Sequence, residues 1–368
     1  MKKKIKLLLL VGARPNFIKA APLIREVKKH RQIELVMVHS GQHYDFEMSK
    51  IFFDELKISK PNYNLKVGSG SHAYQTAETM KRLEPILLKE KPNLVIVVGD
   101  VNSTLAAALT ATKTNIPVTH IEAGLRSFDM AMPEEVNRRL TDHMSSFLFV
   151  TEPSGIKNLV KEGISKNKIF FVGNIMIDTL LDMKSKAQKI KILEALKLKK
   201  KAYGVLTLHR PENVADEKVF KDLLAVIEEI QRKIKIIWPI HPRVKRHLKE
   251  FNFLKKIKKM KNLLLIKPLG YLEMLTLNKE AKFVLTDSGG IQEETTVLNI
   301  PCLTLRKNTE RPVTVQKGTN VIVGNDRNKI IKELSIILKG KYKKRKVIKF
   351  WDGHTAERIV KILISKLS

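Results

Sequence analysis

Apolar, β-branched runs of four to eight residues recur along this chain, and stretches of helical periodicity separate them. That alternation is the strongest constraint on the fold. Strands that are apolar along their whole length must be covered on both faces, and helical crossovers between them make the sheet parallel. The first series predicts strands at Ile5–Val11, Leu35–His39, Leu94–Val98, Val118–Glu122, Phe147–Val150 and Ile169–Val172. The second predicts Gly204–Leu208, Ile236–Ile240, Leu263–Ile266, Phe283–Thr286, Cys302–Leu305 and Val321–Val323. Helical patterns fall at Pro15–Lys29, Ser103–Lys113, Glu217–Arg232, Ile291–Leu298 and Thr355–Leu367. Two such series in 368 residues exceed one ordinary core and predict an α/β chain of two Rossmann-like domains. The break is expected near Gly173–Asn174, giving domains 1–173 and 174–350 and a terminal segment 351–368. Lys184–Lys201 reads as an exposed helix and loop.

Composition removes several classes of function. No apolar run reaches the ~18–20 residues of a membrane span, and Ile5–Val11 reads as a first strand rather than a signal peptide. A single cysteine, Cys302, allows no internal disulfide and fits a cytoplasmic chain. The net charge of +32 raises nucleic acid as a partner. Yet the lysines lie in scattered short runs, and aromatics, at 6%, do not interleave with them as a base-stacking surface requires. A lysine-rich solvated surface is the preferred reading, with no nucleic acid and no membrane as partner.

In open parallel sheets ligands bind beyond the carboxyl ends of the strands, so the residues that follow each strand carry the functional reading. After the first strand, Gly12-Ala13-Arg14-Pro15 leads into a helix bearing Lys19; two cations at a helix start suit an anion. After the third comes Asp100, with Ser103 placed to cap the next helix; the fourth ends in Glu122; Glu134 and Glu135 open the helix that follows. Asp100, Glu122 and Glu134 thus gather at one sheet edge, where mutual repulsion is expected to raise some of their pKa values. In the second series, strands end in His209 and His241; a histidine there can donate to phosphate or act as an acid. The most specific stretch is Leu285–Glu294. A strand runs into Ser288, Gly289 and Gly290, whose N–H groups can approach a phosphate, and Glu294 can accept from ribose hydroxyls. Arg311 comes to the same edge. No Walker loop, G-x-G-x-x-G, HExxH, CxxC or GxSxG occurs, so neither a metal nor a cofactor is expected.

Taken in order, GARPNFIKAAPL, GDVNST, HIEAGLR, MPEEVNRR, LTLHRPENV, LTDSGGIQEE and RKNTERPVTV resemble the non-hydrolysing UDP-N-acetylglucosamine 2-epimerases, and the terminal DGHTAERI fits as well. The resemblance spans nearly the whole chain. It implies a glycosyltransferase-B arrangement of the two Rossmann-like domains with a cleft between them, and a terminal helix that packs back on the first domain. It also implies a homodimer and reversible exchange of UDP-N-acetylglucosamine with UDP-N-acetylmannosamine through a 2-acetamidoglucal. By motif match, Ser288, Gly289, Gly290 and Glu294 bind UDP; Arg14, His209 and Arg311 surround the diphosphate; Asp100, Glu122 and Glu134 are the acids and bases, with Lys19 near them. Met274 is carried over to the substrate set, although relatives often have phenylalanine there. Gln42, His43, Arg210 and His241 are candidates for a second, regulatory nucleotide-sugar site. Polysaccharide synthesis is one downstream use.

The chemistry of the reaction asks for such a set. No carbonyl acidifies the C2 proton, so elimination of UDP as that proton leaves avoids a direct deprotonation, and re-addition on the other face needs a second acid or base. The competing readings are a hydrolysing epimerase that releases N-acetylmannosamine and UDP, an epimerase of a UDP-diacetamido uronic acid, a glycosyltransferase, and a basic nucleic-acid-binding protein.

Overall fold

A computed structural model of the protein describes residues 4–41, 55–56 and 58–368. Among these, two compact units emerge: Met1–Leu181 with Lys349–Ser368, and Asp182–Ile348. The chain leaves the first unit inside the helix Ile175–Ala187.

The strands of the first unit are β1 Ile5–Val11, β2 Ile33–His39, β3 Tyr63–Asn64, β4 Leu94–Val98, β5 Val118–Ala123, β6 Phe147–Val150 and β7 Ile169–Phe171. Those of the second are β8 Tyr203–Thr207, β9 Lys235–Pro239, β10 Leu263–Ile266, β11 Phe283–Thr286, β12 Cys302–Thr304 and β13 Asn320–Ile322. They order as β3-β2-β1-β4-β5-β6-β7 and β10-β9-β8-β11-β12-β13. Every neighbouring pair is parallel, as the apolar runs required. Leu7, Leu8 and Leu9 of β1 and Val95 and Ile96 of β4 are fully buried, because helices cover both faces. In each sheet the order reverses once, between β1 and β4 and between β8 and β11. The connections there leave in opposite directions, opening a crevice at the carboxyl ends.

The covering helices follow local rules. In Glu217–Lys233, Asp216 caps the start by accepting from the Val219 N–H at 2.8 Å. Phe220, Leu223, Leu224, Ile227 and Ile230 recur at helical spacing and form its buried face. Burying Phe220 contributes about 1.5–3 kcal/mol. The terminal helix Thr355–Leu367 packs within the first unit against the helix Arg14–Val27. Asp178 accepts from the Ala356 N–H at 2.8 Å, and Trp351 donates to the Thr151 carbonyl at 3.1 Å.

Two local expectations change. The cap of the helix Asn102–Lys113 falls on Val101, with no side-chain cap; Ser103 sits inside the first turn and is buried. The chain tightens two residues earlier than the Ser/Thr pattern suggests. The segment 184–201 is less exposed than its lysines imply: Ala187 and Ile192 are buried and Leu193 and Leu198 pack on the core of the second unit. Lysine side chains hide such apolar positions from a compositional reading.

Candidate active site

The crevice of the first unit is built on backbone turns that few residues tolerate. Gly99, at the end of β4, has φ +70°. Glu122, in β5, has φ +75°, where the strand bulges between Ile121 and Ala123. A non-glycine residue in this region costs on the order of 1–3 kcal/mol, and such outliers collect at functional sites. The bulge turns the Glu122 carboxylate towards the helix Arg14–Val27, where it forms a buried ion pair with Lys19. A Cβ on Gly99 would lie 3.1 Å from Lys19 Nζ and 3.4 Å from Glu122 Oε2, so the glycine lets this pair close over the end of β4. Asn16 bridges the same reversal: its Nδ2 donates to the Val98 carbonyl at 2.6 Å while its Oδ1 accepts from the Ala13 N–H at 2.9 Å.

Asp100 follows directly. Arg138, on the helix Pro133–Met144, donates to Asp100 Oδ2 from Nε at 3.0 Å and from Nη2 at 2.7 Å. Its Nη1 reaches Glu135 Oε2 at 2.8 Å. Glu135 is fully buried and also accepts from the Ser127 N–H at 2.8 Å and the Ser127 hydroxyl at 3.0 Å. Burial opposes its charge, but the Ser127 and Arg138 donors hold the carboxyl below the usual range. Of the glutamate pair that opens this helix, Glu135 therefore anchors the preceding loop, while Glu134 is half-buried in the first turn. The expected repulsion among the acids is replaced by pairing: Glu122 meets Lys19 and Asp100 meets Arg138. Arg14 opens its helix; its side chain lies outside the described atoms, as do residues Gln42 and His43 altogether.

In the second unit, Asp287 bridges the reversal between β8 and β11. Fully buried, it accepts from the backbone N–H of His209 at 3.0 Å and of Arg210 at 2.9 Å, and from Asn213 Nδ2 at 3.1 Å. Its Oδ1 lies 2.7 Å from His209 Nδ1. Burial opposes its charge, yet His209 and these N–H groups hold the carboxyl below its usual range. With Nδ1 held by Asp287, Nε2 is the ring nitrogen of His209 left to meet other groups, on a side chain 39% exposed. His241 caps the helix Pro242–Glu250, accepting from the Arg243 N–H at 3.2 Å, and its ring centroid is 6.3 Å from that of His209.

Ser288 precedes the helix Gly289–Leu298 and makes no side-chain cap bond. First-turn N–H groups have no partner within a helix, which suits an anion. Arg311 packs over this start, pairing with Glu293 at 2.8 Å and with Glu310. A Cβ on Gly289 would fall 2.5 Å from Arg311 Nη1 and 2.8 Å from Glu310 Oε1, so a larger residue would have to push this ion pair aside. Gly290 continues the helix, and Met274, half-buried on the helix Tyr271–Glu280, packs against the core beside it. Asn16, Arg138, Asp287, Glu293 and Tyr271 were not singled out by the sequence reading. Each works through a partner far along the chain, so no local spacing marks it.

Burial pushes the Glu294 carboxyl up to about 7, against the hydrogen bond from Tyr271, and Glu293 adds to the rise. Because the folded chain keeps this proton to higher pH than the unfolded one, its contribution to stability is full below about 4.5 and is lost as pH rises towards about 7. The loss amounts to roughly 3 kcal/mol. Glu294→Gln should therefore flatten the decline in unfolding free energy between pH 5 and pH 7, measured by urea titration. An unchanged slope would assign that proton uptake to another group.

A family model described as UDP-N-acetylglucosamine 2-epimerase matches residues 25–364. The UDP-N-acetylglucosamine 2-epimerase of Methanocaldococcus jannaschii is 47% identical over 364 residues, covering 98% of this chain and 99% of that protein. The UDP-2,3-diacetamido-2,3-dideoxy-D-glucuronate 2-epimerase of Pseudomonas aeruginosa is 40% identical over 330 residues, covering 89% of this chain and 90% of that one. Among solved structures, that of the M. jannaschii UDP-GlcNAc 2-epimerase in complex with UDP-GlcNAc and UDP is similar at a TM-score of 0.91 and 47% identity, over 98% of this chain and 99% of that one.

Proposed function

The chain belongs to the UDP-N-acetylglucosamine 2-epimerase family, and on that premise we propose that it interconverts UDP-N-acetylglucosamine and UDP-N-acetylmannosamine without net hydrolysis. The observation that carries the reading is the pair of carboxylates at the first crevice, Glu122 against Lys19 and Asp100 against Arg138, separated only by the Gly99 turn. Each has a fixed cationic partner, so each can hold a defined position and exchange a proton with a sugar ring.

In the proposed reaction one carboxylate takes the C2 proton while the electrons of that C–H bond form the C1=C2 double bond. The C1–O bond breaks, and its electrons leave with UDP. The charge gathering on the diphosphate is met by Arg311 and by the N–H groups around Ser288, Gly289 and Gly290, with Arg14 and His209 assigned to the same group. Protonation of the 2-acetamidoglucal on its other face, with return of the UDP oxygen to C1, gives the epimer. Two acid–base groups are needed, and Asp100, Glu122 and Glu134 supply the candidates. Glu294 is assigned to the ribose, Lys19 and Met274 to further substrate contacts, and Arg210 and His241 to a regulatory site. From the resemblance, the same reading has the enzyme acting as a cytoplasmic homodimer in polysaccharide synthesis.

In heavy water the substrate should acquire deuterium at C2 and remain a UDP-sugar. Phosphorus NMR of the same mixture separates the hydrolysing alternative, in which free UDP accumulates. Absence of C2 exchange would overturn the proposal. A second substrate reading, a UDP-diacetamido uronic acid, is favoured by the 40% identical P. aeruginosa relative; comparing kcat/KM for the two sugars decides between them.

A further inference from the structure

We propose that His120 and Asp142 act together as positioning residues for the carboxylates of Glu122 and Asp100, an inference that rests on the epimerase reading above. Three successive features of the first crevice lie in the left-handed region: Gly99 at φ +70°, Glu122 at φ +75° and Gly124 at φ +79°. Glycine takes this conformation freely, but at Glu122 it persists only where the surroundings over-determine it. One buried carboxylate supplies that restraint. Asp142, on the helix Pro133–Met144, accepts from the Gly124 N–H at 3.0 Å through Oδ2. Its Oδ1 lies 2.7 Å from His120 Nδ1, and His120 Nε2 lies 2.8 Å from the Gly99 carbonyl oxygen. Asp142 and His120 therefore tie the turn before Asp100 to the turn after Glu122.

The hydrogens on this bridge follow from its acceptors. A backbone carbonyl only accepts, and so does an ionised carboxylate, so both ring nitrogens of His120 donate. Burial works against the Asp142 charge, but His120 and Arg126 hold the carboxyl below its usual range. Arg126 lies 2.7 Å from Asp142 Oδ2 and is met in turn by Glu162 at 2.9 and 2.6 Å. The cluster is thus charge-matched, as a buried polar network must be to hold one geometry.

Both side chains are fully enclosed, so neither touches a sugar; their action runs through the backbone. The Gly99 turn lies against Lys19 Nζ and Glu122 Oε2, so a rotation of its peptide moves the ion pair as well as Asp100. A misplacement of about 1 Å at a reacting group lowers turnover on the order of a hundredfold.

Two substitutions each keep one half of the bridge. In His120→Asn the amide nitrogen can still donate towards Asp142 but not reach Gly99; in His120→Gln the reverse holds. The experiment measures C2 deuterium exchange from UDP-N-acetylglucosamine, kcat and KM, and UDP affinity by calorimetry, with rates counted per UDP-binding site. Each variant should lose kcat about a hundredfold while KM and UDP affinity stay within roughly threefold. Adding Asp142→Asn to either should cost little more, because the pair acts as a unit. Undiminished kcat with a lowered Tm would make the bridge a support for stability alone and overturn the assignment, as would loss of UDP binding in step with turnover. No exchange in the unsubstituted enzyme overturns the epimerase reading itself, and the assignment with it.

Discussion

Glu122→Gln lowers the rate of C2 exchange by roughly a thousandfold while UDP binding is retained, the largest effect expected of a single substitution in the first unit. The amide keeps the size of the side chain but cannot take a proton, and it no longer balances Lys19. That lysine is 7% exposed and Glu122 2%, so the pair has little water to replace a lost partner. Removing one member of a buried pair destabilises by on the order of 3 kcal/mol, and the variant should also unfold at lower temperature. Rates are therefore compared well below that temperature, with UDP binding followed by calorimetry. Exchange within tenfold of the unsubstituted enzyme would remove Glu122 from the acid–base set and leave Asp100 and Glu134 to supply both faces.

Arg311→Ala weakens UDP binding by about a hundredfold or more. A hydrogen bond from a guanidinium to phosphate contributes about 1.5–3 kcal/mol, and each 1.4 kcal/mol is tenfold in affinity. The loss exceeds one such bond because Arg311 also meets the carboxylates of Glu293 and Glu310, both fully buried. With the cation gone, Glu293 loses Arg311 and Glu310 keeps Arg306, so the negative charge beside the start of the helix Gly289–Leu298, where the diphosphate is proposed to sit, is less well matched. Arg311→Lys should restore little of this, since one ammonium cannot span both carboxylates with the geometry of a planar fork. An unchanged dissociation constant for UDP in Arg311→Ala would place the diphosphate elsewhere.

Much of the candidate site is legible along the chain because it lies where strands end. Glu122 closes an apolar run, His209 follows another, and Ser288-Gly289-Gly290 stands between a strand and a helix. These are short-range relations, readable wherever period 2 gives way to period 3.6. The sequence pattern does not distinguish Glu134 from Glu135. Adjacent helical residues point in different directions, and only the packing of Ser127 and Arg138 turns Glu135 inward. The same limit applies to Ser103, whose cap position depends on where the first helical turn tightens.

Sequence alone determined the two α/β units, the parallel sheets and the strand ends that bear polar residues, because strand burial and helix periodicity are written in consecutive residues. Tertiary structure alone decided how the charges are matched. Lys19 finds Glu122 across 103 residues, Arg138 finds Asp100 across 38, and His209 finds Asp287 across 78. An acid at a strand end carries no mark of the cation it will meet, since that partner arrives on another element. Burial then makes the pairing obligatory: a charge removed from water must be met by another charge or by hydrogen-bond donors and acceptors, and only the folded chain brings them together.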